Sequence, residues 1–304
     1  MWDKMEIFYH VVKAGSFTKA EKVLHKSQSA LSRSVLILEE RLGVKLLDRR
    51  HSGLVLTRKG EDVFNTAQKM LMDMSGLKAL MDEPLEMSGK IRLSSTHALV
   101  NYILSPMIIA FQKKYPGIHF DIYCNDETID IIQNEVDIAV RPFESDSKEV
   151  VHEHFFNLQA NLYASQAYID KYGEPKSVKD LVNHKFIAFS RPDVLPYADV
   201  EWFLRANKPE EQDGLCVLRV NSIEMIFEAA RAGVGIISSY DSFSIVKKSG
   251  FKKILPDFKG PKYEEFFVHP KHLSSLKRIQ VFKEFAMEYL RHDPSLKDSK
   301  ESLS

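Results

Sequence analysis

A run of small hydroxyl, amide and basic side chains lies between residues 26 and 34. Its members are Lys26, Ser27, Gln28, Ser29, Ser32, Arg33 and Ser34. Short hydroxyl and amide groups at the start of a helix let a phosphate approach the free backbone amides closely. Amide and guanidinium groups can also form hydrogen bonds with base edges in a groove. The residue types and their spacing therefore favour contact with a nucleic-acid duplex.

Two helices joined by a tight turn are needed to present these side chains on one face. Ser16 is a good N-cap for the first helix, whose apolar face would hold Ala20, Val23 and Leu24. Ser27 can cap the second helix, which would end at Gly43. That helix would bury one stripe formed by Leu31, Val35, Leu38 and Leu42. The pattern predicts a helix-turn-helix whose recognition helix begins near Gln28.

Elements on either side of this pair complete the predicted head. A helix from Met5 to Ala14 would brace it from the N-terminal side. After Gly43, two short apolar runs flank the basic turn that contains Arg49 and Arg50. This is typical of a two-stranded wing, which would lay both arginines against the duplex backbone or in a minor groove. The alternatives are a solvated basic hairpin, and a helix-turn-helix used only for protein contacts.

The stretch SFTKAEKVLHKSQSALSRSVLILEERLGVKLLDRR resembles the N-terminal motif of the LysR-type transcriptional regulators. The matching positions are Phe17, Ala20, Leu24, Ser27, Gln28, Ser29, Ala30, Ser32, Leu38, Glu39, Leu42, Gly43, Leu46 and Arg49. Ser34 stands where many members have Gln, and Leu47 where most have Phe. The resemblance implies sequence-specific DNA binding, a dimerising linker helix, and a tetramer built as a dimer of dimers. It also implies a two-lobed effector domain similar to periplasmic solute-binding proteins.

Charge is unevenly distributed along a chain whose formal net charge is zero. Residues 1–60 hold twelve Lys and Arg against six Asp and Glu, which leaves +6 there and −6 in the remainder. A basic head on an acidic body is typical of a DNA-binding module joined to an effector module. The N-terminus lacks the apolar core of a signal peptide, so we expect a cytoplasmic protein. Cys124 and Cys216 are expected to be buried, inert thiols, with redox sensing as the alternative.

A long helix is predicted from Arg58 to about Asp82. Its apolar positions follow a heptad spacing and comprise Val63, Ala67, Met70, Met74, Leu77 and Met81. Such a seam predicts pairing with a second copy of the chain. The alternative is a helix packed only on its own head, but the seam continues too far for the head to cover all of it.

From Lys90 onward, strand-like and helical segments alternate, which predicts α/β architecture with parallel strands. The predicted domains are a winged helix-turn-helix over 1–57, a linker helix and hinge over 58–88, and an effector domain over 89–304. Lobe I would take 89–162 and 265–293, and lobe II would take 163–264. A polar tail over 294–304 completes the chain. The fold class is therefore α/β with an all-α N-terminal head.

Ligands of open parallel sheets bind beyond the carboxyl ends of the strands. The candidate effector-binding residues at those ends are Ser95, Thr96, Arg141, Ser190, Arg191, Asn221, Ser222 and Ser238. The family resemblance implies effector contact at Thr96, whereas Ala98 stands where Thr is frequent. Arg141 and Arg191, each followed by Pro, could bind a carboxylate or similar anion through paired hydrogen bonds. The alternative is that both pair with nearby Asp or Glu and hold loops.

An enzyme is a competing class of function. The sequence contains no Gly-rich phosphate loop, GxSxG, HExxH or CxxC motif. His152 and His154 could share a strand face, but a third ligand at metal-site spacing is missing, so no metal or other cofactor is expected. The expected partners are double-stranded DNA, a small-molecule effector, further copies of the chain and, for an activator, RNA polymerase. A DNA-binding repressor with a vestigial pocket is the second hypothesis.

Overall fold

A computed structural model of the chain describes residues 1–50, 53–81, 87–127, 131, 136–142, 147, 149–205 and 215–292. The chain forms two compact units, Met1–Asp82 and Glu83–Ser304. Each unit is described by itself below. In the described parts, no helix combines the length and the apolar character that a membrane crossing requires.

The first unit is a winged helix-turn-helix followed by a long helix. Its elements are α1 (Trp2–Ala14), α2 (Phe17–Leu24), α3 (Gln28–Leu42), β1 (Leu47–Arg50), β2 (Gly53–Leu56) and α4 (Arg58–Met81). The Ser16 hydroxyl caps α2 by accepting from the Lys19 amide, and the Ser27 hydroxyl caps α3 by accepting from the Ala30 amide. Gly43 ends α3 in the left-handed conformation, with φ 69°. These caps confirm the predicted boundaries of the recognition helix.

Two details of the head differ from the sequence-based expectation. Helix α1 begins at Trp2 rather than Met5, because the Met1 carbonyl accepts from the amides of Lys4 and Met5. Val23 is 63% exposed, so its assignment to the apolar face of α2 is wrong. The two-turn helix meets the core through Phe17, Ala20 and Leu24, and Val23 lies on the solvent side of that face.

Glu39 and Gly60 fix the wing to the helices on either side of it. The buried Glu39 carboxylate accepts from the backbone amides of Leu46 at 2.7 Å and Leu47 at 3.2 Å. It also accepts from Lys45 Nζ at 3.0 Å. At Gly60, a Cβ atom would lie 2.0 Å from the Leu46 carbonyl oxygen, so only glycine lets α4 start this close to the wing.

Helix α4 divides its predicted seam between two environments. Val63 and Ala67 pack into the core of the head. The exposed fraction then rises along the helix, from 40% at Met70 and 52% at Met74 to 53% at Leu77 and 78% at Met81. The first part of the seam is therefore covered within the unit, while four large apolar side chains beyond it face solvent.

The second unit begins with β3 (Gly89–Ser95) and a helix in three parts: α5 (His97–Leu99), a π-helical turn (Val100–Leu104) and α6 (Ser105–Lys114). Next come β4 (Ile118–Cys124), β5 (Ile138–Arg141), β6 (Val150–Ala164), α7 (Gln166–Tyr172) and β7 (Phe186–Phe189). The remaining elements are β8 (Cys216–Val220), α8 (Ile223–Arg231), β9 (Ile237–Tyr240), α9 (Ser244–Lys248), β10 (Lys252–Ile254), β11 (Lys262–Pro270) and α10 (Lys277–Arg291).

The main sheet is mixed rather than parallel throughout. Its order is β10-β6-β11-β5-β3-β4, with β9 also paired to β6. Strand β3 runs parallel to β4 and β5, as predicted, but β11 pairs antiparallel with β5 and β6. The longest strands of this sheet are the 15-residue β6 and the 9-residue β11, which pair with each other. A second, two-stranded parallel sheet forms from β7 and β8.

The core of the first lobe is aromatic. Phe111 on α6 packs edge-to-face against Phe282 on α10, with ring centroids 5.0 Å apart, and Phe120 on β4 lies 5.1 Å from Phe282. The polar tail predicted at 294–304 falls outside the described residues.

Candidate functional site

The first candidate site is the amino-terminal end of α3. Lys26, Gln28, Ser29 and Arg33 are exposed there, while Ser32 and Ser34 are half-buried. Ser27 is exposed as well, and its hydroxyl lies 3.1 Å from that of Ser29 while capping the helix. Helix α3 is anchored by Leu31 and Leu38, which are fully buried. The structure thus places the predicted polar set on one accessible surface at a helix N-terminus, where an anion is favoured.

The wing follows this surface in the chain. Strands β1 and β2 pair antiparallel, with Leu47 opposite Leu56 and Arg50 opposite Gly53. This confirms the predicted two-stranded wing. The side chains of Arg49 and Arg50 lie outside the described part of the chain, so their contact with a duplex stays a prediction.

The second candidate site is a cavity of about 120 Å³ in the second unit. Thr96 and Leu99, which follow β3, line it, as do Leu158 on β6 and Tyr263 on β11. The part of the chain from β7 to the start of α9 contributes a larger group, including Ile187, Phe189, Phe203, Ile226, Ser238, Ser239, Tyr240 and Phe243. Segments from both predicted lobes, together with β6 and β11, therefore supply walls. The Thr96 hydroxyl also caps α5 by accepting from the Leu99 amide.

An open cleft of about 430 Å³ holds a different group of the predicted residues. Arg191, Asn221 and Ser222 lie in this cleft, and it shares Asp126, Phe189 and Ile223 with the cavity. The Ser222 hydroxyl caps α8 by accepting from the Met225 amide. The predicted set is therefore divided, with Thr96 and Ser238 at the cavity and these three residues at the cleft. Ser190, which is half-buried, lines neither space.

The remaining predicted residues support the sheet behind the cavity. Ser95 is fully buried, and its hydroxyl donates to the Val140 carbonyl at 2.6 Å. Arg141 is 1% exposed and donates from Nη1 to the Glu127 carbonyl and from Nη2 to the Asn125 carbonyl. Nη2 also donates to the Ser94 hydroxyl at 3.2 Å. Arg141 therefore holds a loop in place from inside the protein.

The prediction of two arginines facing one cleft is wrong in this structure. Arg141 is enclosed, whereas Arg191 is exposed and forms a forked ion pair with Asp193, with Nη2 2.9 Å from Oδ2. Both arginines precede a proline, so the local sequence does not distinguish them. Their environments differ because β5 is buried along its whole length, whereas β7 ends in an exposed turn. Arg191 follows the alternative prediction, since it pairs with a nearby acid.

The sequence did not single out a buried polar cluster beside the cavity. Tyr197, Tyr240 and Tyr263 surround its base, with the ring centroids of Tyr197 and Tyr263 5.1 Å apart. Glu265 lies two residues after Tyr263 on the same buried face of β11 and is 0% exposed. The sequence of the strand could have indicated this acid. Positions 263, 265 and 267 face inward and alternate with outward ones, and the inward position 265 is a glutamate.

The Glu265 carboxyl is held in its neutral form. Neither of its oxygens has a hydrogen-bond partner of normal geometry among the described residues. Burial raises the pKa of Glu265 to about 8, although the nearby Tyr197 hydroxyl and the Arg141 charge both act to lower it. Burial also raises the pKa of Tyr263 to about 12. The cluster is therefore mainly uncharged near neutral pH, apart from Arg141.

Glu265→Gln is expected to stabilise the second unit increasingly as pH rises. The folded-state pKa of Glu265 lies above the ordinary value of 4.5, so wild-type stability is complete below that value and is lost up to about pH 8. The loss should be roughly 1 kcal/mol per pH unit, and glutamine removes it. Urea unfolding followed by Trp202 fluorescence in a Trp2→Phe background measures the difference. Glu264→Gln, at an exposed neighbouring position, is the control. A pH-independent difference for Glu265→Gln would contradict the expectation.

Within the described residues, the histidines and cysteines do not gather into a metal site. No group of three or more His, Cys, Asp or Glu side chains in the described part of the chain could hold a metal ion. His154 instead lies 3.0 Å from the amide oxygen of Asn157 and packs edge-to-face on Phe266. Cys124 is exposed and Cys216 half-buried, so the expectation of two buried thiols is wrong. Cys124 ends the edge strand β4, whose last residues are open to solvent, and partial burial with nearby Asp126 raises its thiol pKa.

Comparison with known families and structures identifies relatives of both units. Residues 85–291 match the family model described as LysR substrate binding domain. Residues 2–61 match the model described as bacterial regulatory helix-turn-helix protein, lysR family. The two matches correspond to the two sites, since one contains α3 with the wing and the other contains the cavity and the cleft.

Individual relatives agree with these matches. The transcriptional regulator CrgA of Neisseria meningitidis serogroup C is 34% identical over 194 residues, which is 64% of this chain and 65% of CrgA. The aligned segment thus spans less than two thirds of that relative. An HTH-type transcriptional repressor of Pseudomonas aeruginosa is 26% identical over 302 residues, covering 96% of this chain and 93% of the relative. The solved structure of CrgA superimposes with a TM-score of 0.57 at 27% identity, covering 94% of this chain and 98% of that chain.

Proposed function

Because this chain belongs to the LysR family of transcriptional regulators, we propose that it binds specific double-stranded DNA and that a small molecule in its second unit modulates the output. The proposal is supported by the presence of two features in one chain. A capped recognition helix exposes a polar and basic surface next to a wing, and the second unit contains a cavity walled by segments from both predicted lobes. The recognition helix enters the major groove, and the wing contacts the adjacent backbone. The protein acts in the cytoplasm, where that DNA lies, and has no catalytic role.

The exposed side chains of α4 support a dimer that presents two heads to DNA. Met70, Met74, Leu77 and Met81 continue the heptad seam beyond the part that the head covers. A symmetric pair of such helices sets two recognition helices on a pseudo-palindromic site. We propose a tetramer as the working assembly, in which two dimers bend the DNA between their sites. Contact with RNA polymerase applies if the protein is an activator.

Modulation requires the effector to prefer one arrangement of the assembly. A ligand shifts an equilibrium only by the difference between its affinities for the two states. The cavity is suited to such a ligand because Thr96 belongs to the first lobe while Ser238 and Tyr240 belong to the second. A constitutive repressor with a vestigial pocket is the second candidate. Ser239 and Tyr263 have buried hydroxyls without a hydrogen-bond partner among the described residues, and these favour a working pocket. A pocket that binds nothing would leave both hydroxyls without a partner.

Selection of bound oligonucleotides with the purified full chain tests the proposal. The expected result is an enriched, partly palindromic sequence whose half-sites lie about one or two helical turns apart. A pool that shows no enrichment after repeated rounds would contradict sequence-specific binding. Titrating candidate effectors into the same complex then separates a modulated regulator from a constitutive one.

Arg33→Ala is expected to weaken binding to the selected site by about 1–3 kcal/mol and to relax specificity at one base pair, because Arg33 is exposed on the recognition surface. Arg41→Ala is a matched control, since Arg41 is also exposed but lies at the opposite end of α3. Gel shifts at one fixed salt concentration measure both variants. Equal affinity for wild type and Arg33→Ala would remove this residue from the contact surface.

A further inference from the structure

The walls of the cavity offer no counter-charge to an anionic ligand. Among the described residues that line it, there is no Lys, Arg or His. Its two charged groups are acids: Glu201 pairs with the guanidinium of Arg219, whereas within the described part of the chain Asp126 Oδ1 accepts only from the neutral His97 backbone amide at 3.0 Å. A carboxylate would therefore lose its hydration without gaining an opposite charge, which is costly.

The same walls do offer hydroxyl groups that have no partner. Ser239 is 2% exposed and Tyr263 is 8% exposed, and both line the cavity. The Ser239 Oγ and Tyr263 hydroxyl atoms make no hydrogen bond within the described part of the chain. A buried polar group left unsatisfied costs about 1–3 kcal/mol, and a hydroxyl can either donate or accept. These two groups are suited to the polar end of a bound molecule.

The size and the other walls of the cavity define the rest of the ligand. Its volume of about 120 Å³ is close to that of the roughly 150 Å³ apolar cavity known to hold benzene. Leu158, Ile187, Phe203, Ile226 and Phe243 supply apolar surface. One six-membered ring therefore fits within it.

We propose that the cavity binds a molecule of about one six-membered ring that carries a hydroxyl group and no negative charge, with Ser239 and Tyr263 as partners of that hydroxyl. This replaces the carboxylate suggested by the two Arg-Pro sequences. It rests on the proposed function, since it takes the cavity to be the effector site. The physical basis is the combination of an apolar wall, described lining residues without a cationic side chain, and two buried hydroxyls that have no partner among the described residues.

A matched pair of one-ring probes tests the ligand class. Benzyl alcohol and benzoate differ mainly in charge, and both are titrated into the full chain up to about 10 mM, the range of weak binding by so small a molecule. Trp202 serves as the reporter in a Trp2→Phe background, because its indole Nε1 donates to Ser238 at 3.1 Å and Ser238 lines the cavity. We expect saturable binding of benzyl alcohol, with benzoate at least about 10-fold weaker.

Variants locate the binding. Ser239→Ala and Tyr263→Phe should each lower the affinity for benzyl alcohol about 3- to 10-fold, the effect of one hydrogen bond. Tyr172→Phe is the matched control, because its hydroxyl accepts from Lys185 away from the cavity. Ala98→Leu, which adds bulk to the cavity wall, should also reduce binding. Unaltered affinity in all three cavity variants would overturn the assignment.

The outcomes separate this inference from the proposed function. Tighter binding of benzoate than of benzyl alcohol, or no saturable binding of benzyl alcohol, overturns the ligand class. If benzoate binds and changes DNA affinity, the regulator stands and the inference fails. If benzyl alcohol binds as expected but neither it nor related ring alcohols change DNA affinity, the ligand class stands and effector modulation fails.

Discussion

Replacing Arg141 by methionine is expected to destabilise the second unit by at least about 1–3 kcal/mol, the cost of leaving a buried polar group without a partner. Methionine keeps most of the apolar length of the side chain but removes every guanidinium donor. The buried Ser94 hydroxyl and the partly buried carbonyls of Asn125 and Glu127 would each lose a donor. Glu265 would also lose the charge of Arg141, which acts to lower its pKa.

Arg191→Met is the matched control for this change, because both arginines precede a proline at the end of a strand. The ion pair of Arg191 with Asp193 is exposed, with 62% and 64% of the two side chains open to solvent. Pairs of this kind contribute about 0–1 kcal/mol, so this variant should unfold nearly as wild type does. Denaturant unfolding of the full chain, followed by Trp202 in a Trp2→Phe background, reports on the second unit alone. Equal destabilisation by the two substitutions would contradict the structural role assigned to Arg141.

Charged substitution of both Met70 and Met74 is expected to convert the dimer to a monomer and to weaken binding to a two-half-site duplex by about 100-fold or more. Two glutamates facing two glutamates across a seam would repel each other and leave apolar area uncovered. Loss of pairing removes the avidity of two linked heads, which is commonly 100-fold to 10,000-fold. The folded head should survive, because its own core uses Val63 and Ala67 rather than these methionines.

Asn65→Glu is the control for the seam, since Asn65 is exposed on the same helix but is not one of its apolar seam positions. Sedimentation velocity gives the assembly state, and circular dichroism shows whether the head remains helical. A double glutamate variant that still sediments as the wild type does would rule out this seam as the dimer contact.

The head was predictable because its signals are local. Serine caps, a left-handed glycine and an apolar stripe lie within one stretch of chain, and each acts on residues a few positions away. Val23 was misplaced because a two-turn helix has apolar residues on more positions than the core can cover. The heptad spacing of the seam is also a local signal, so its continuation beyond the head could be predicted. The point near Met70 at which the seam residues become exposed depends instead on where the head ends in space.

The candidate effector site was less predictable because its parts come from distant places in the chain. Thr96 was found through its position after β3, but Tyr197 comes from a turn without regular pattern, and Tyr263 comes from a strand almost 170 residues after Thr96. Arg141 and Arg191 look alike in sequence, and only the burial of β5 distinguishes them. The alternation of strands and helices also could not predict that the sheet is mixed. The antiparallel direction of β11 is set by its pairing with β6, which is a contact between distant parts of the chain.

The central claim is that a basic recognition surface is presented in duplicate to a specific duplex. Its most direct test is sedimentation of the full chain with the selected duplex and with a scrambled duplex, over a series of salt concentrations. The account predicts a dimer or tetramer that prefers the selected duplex, with the logarithm of affinity falling linearly as the logarithm of salt concentration rises. A monomer that binds neither duplex at modest ionic strength would contradict it.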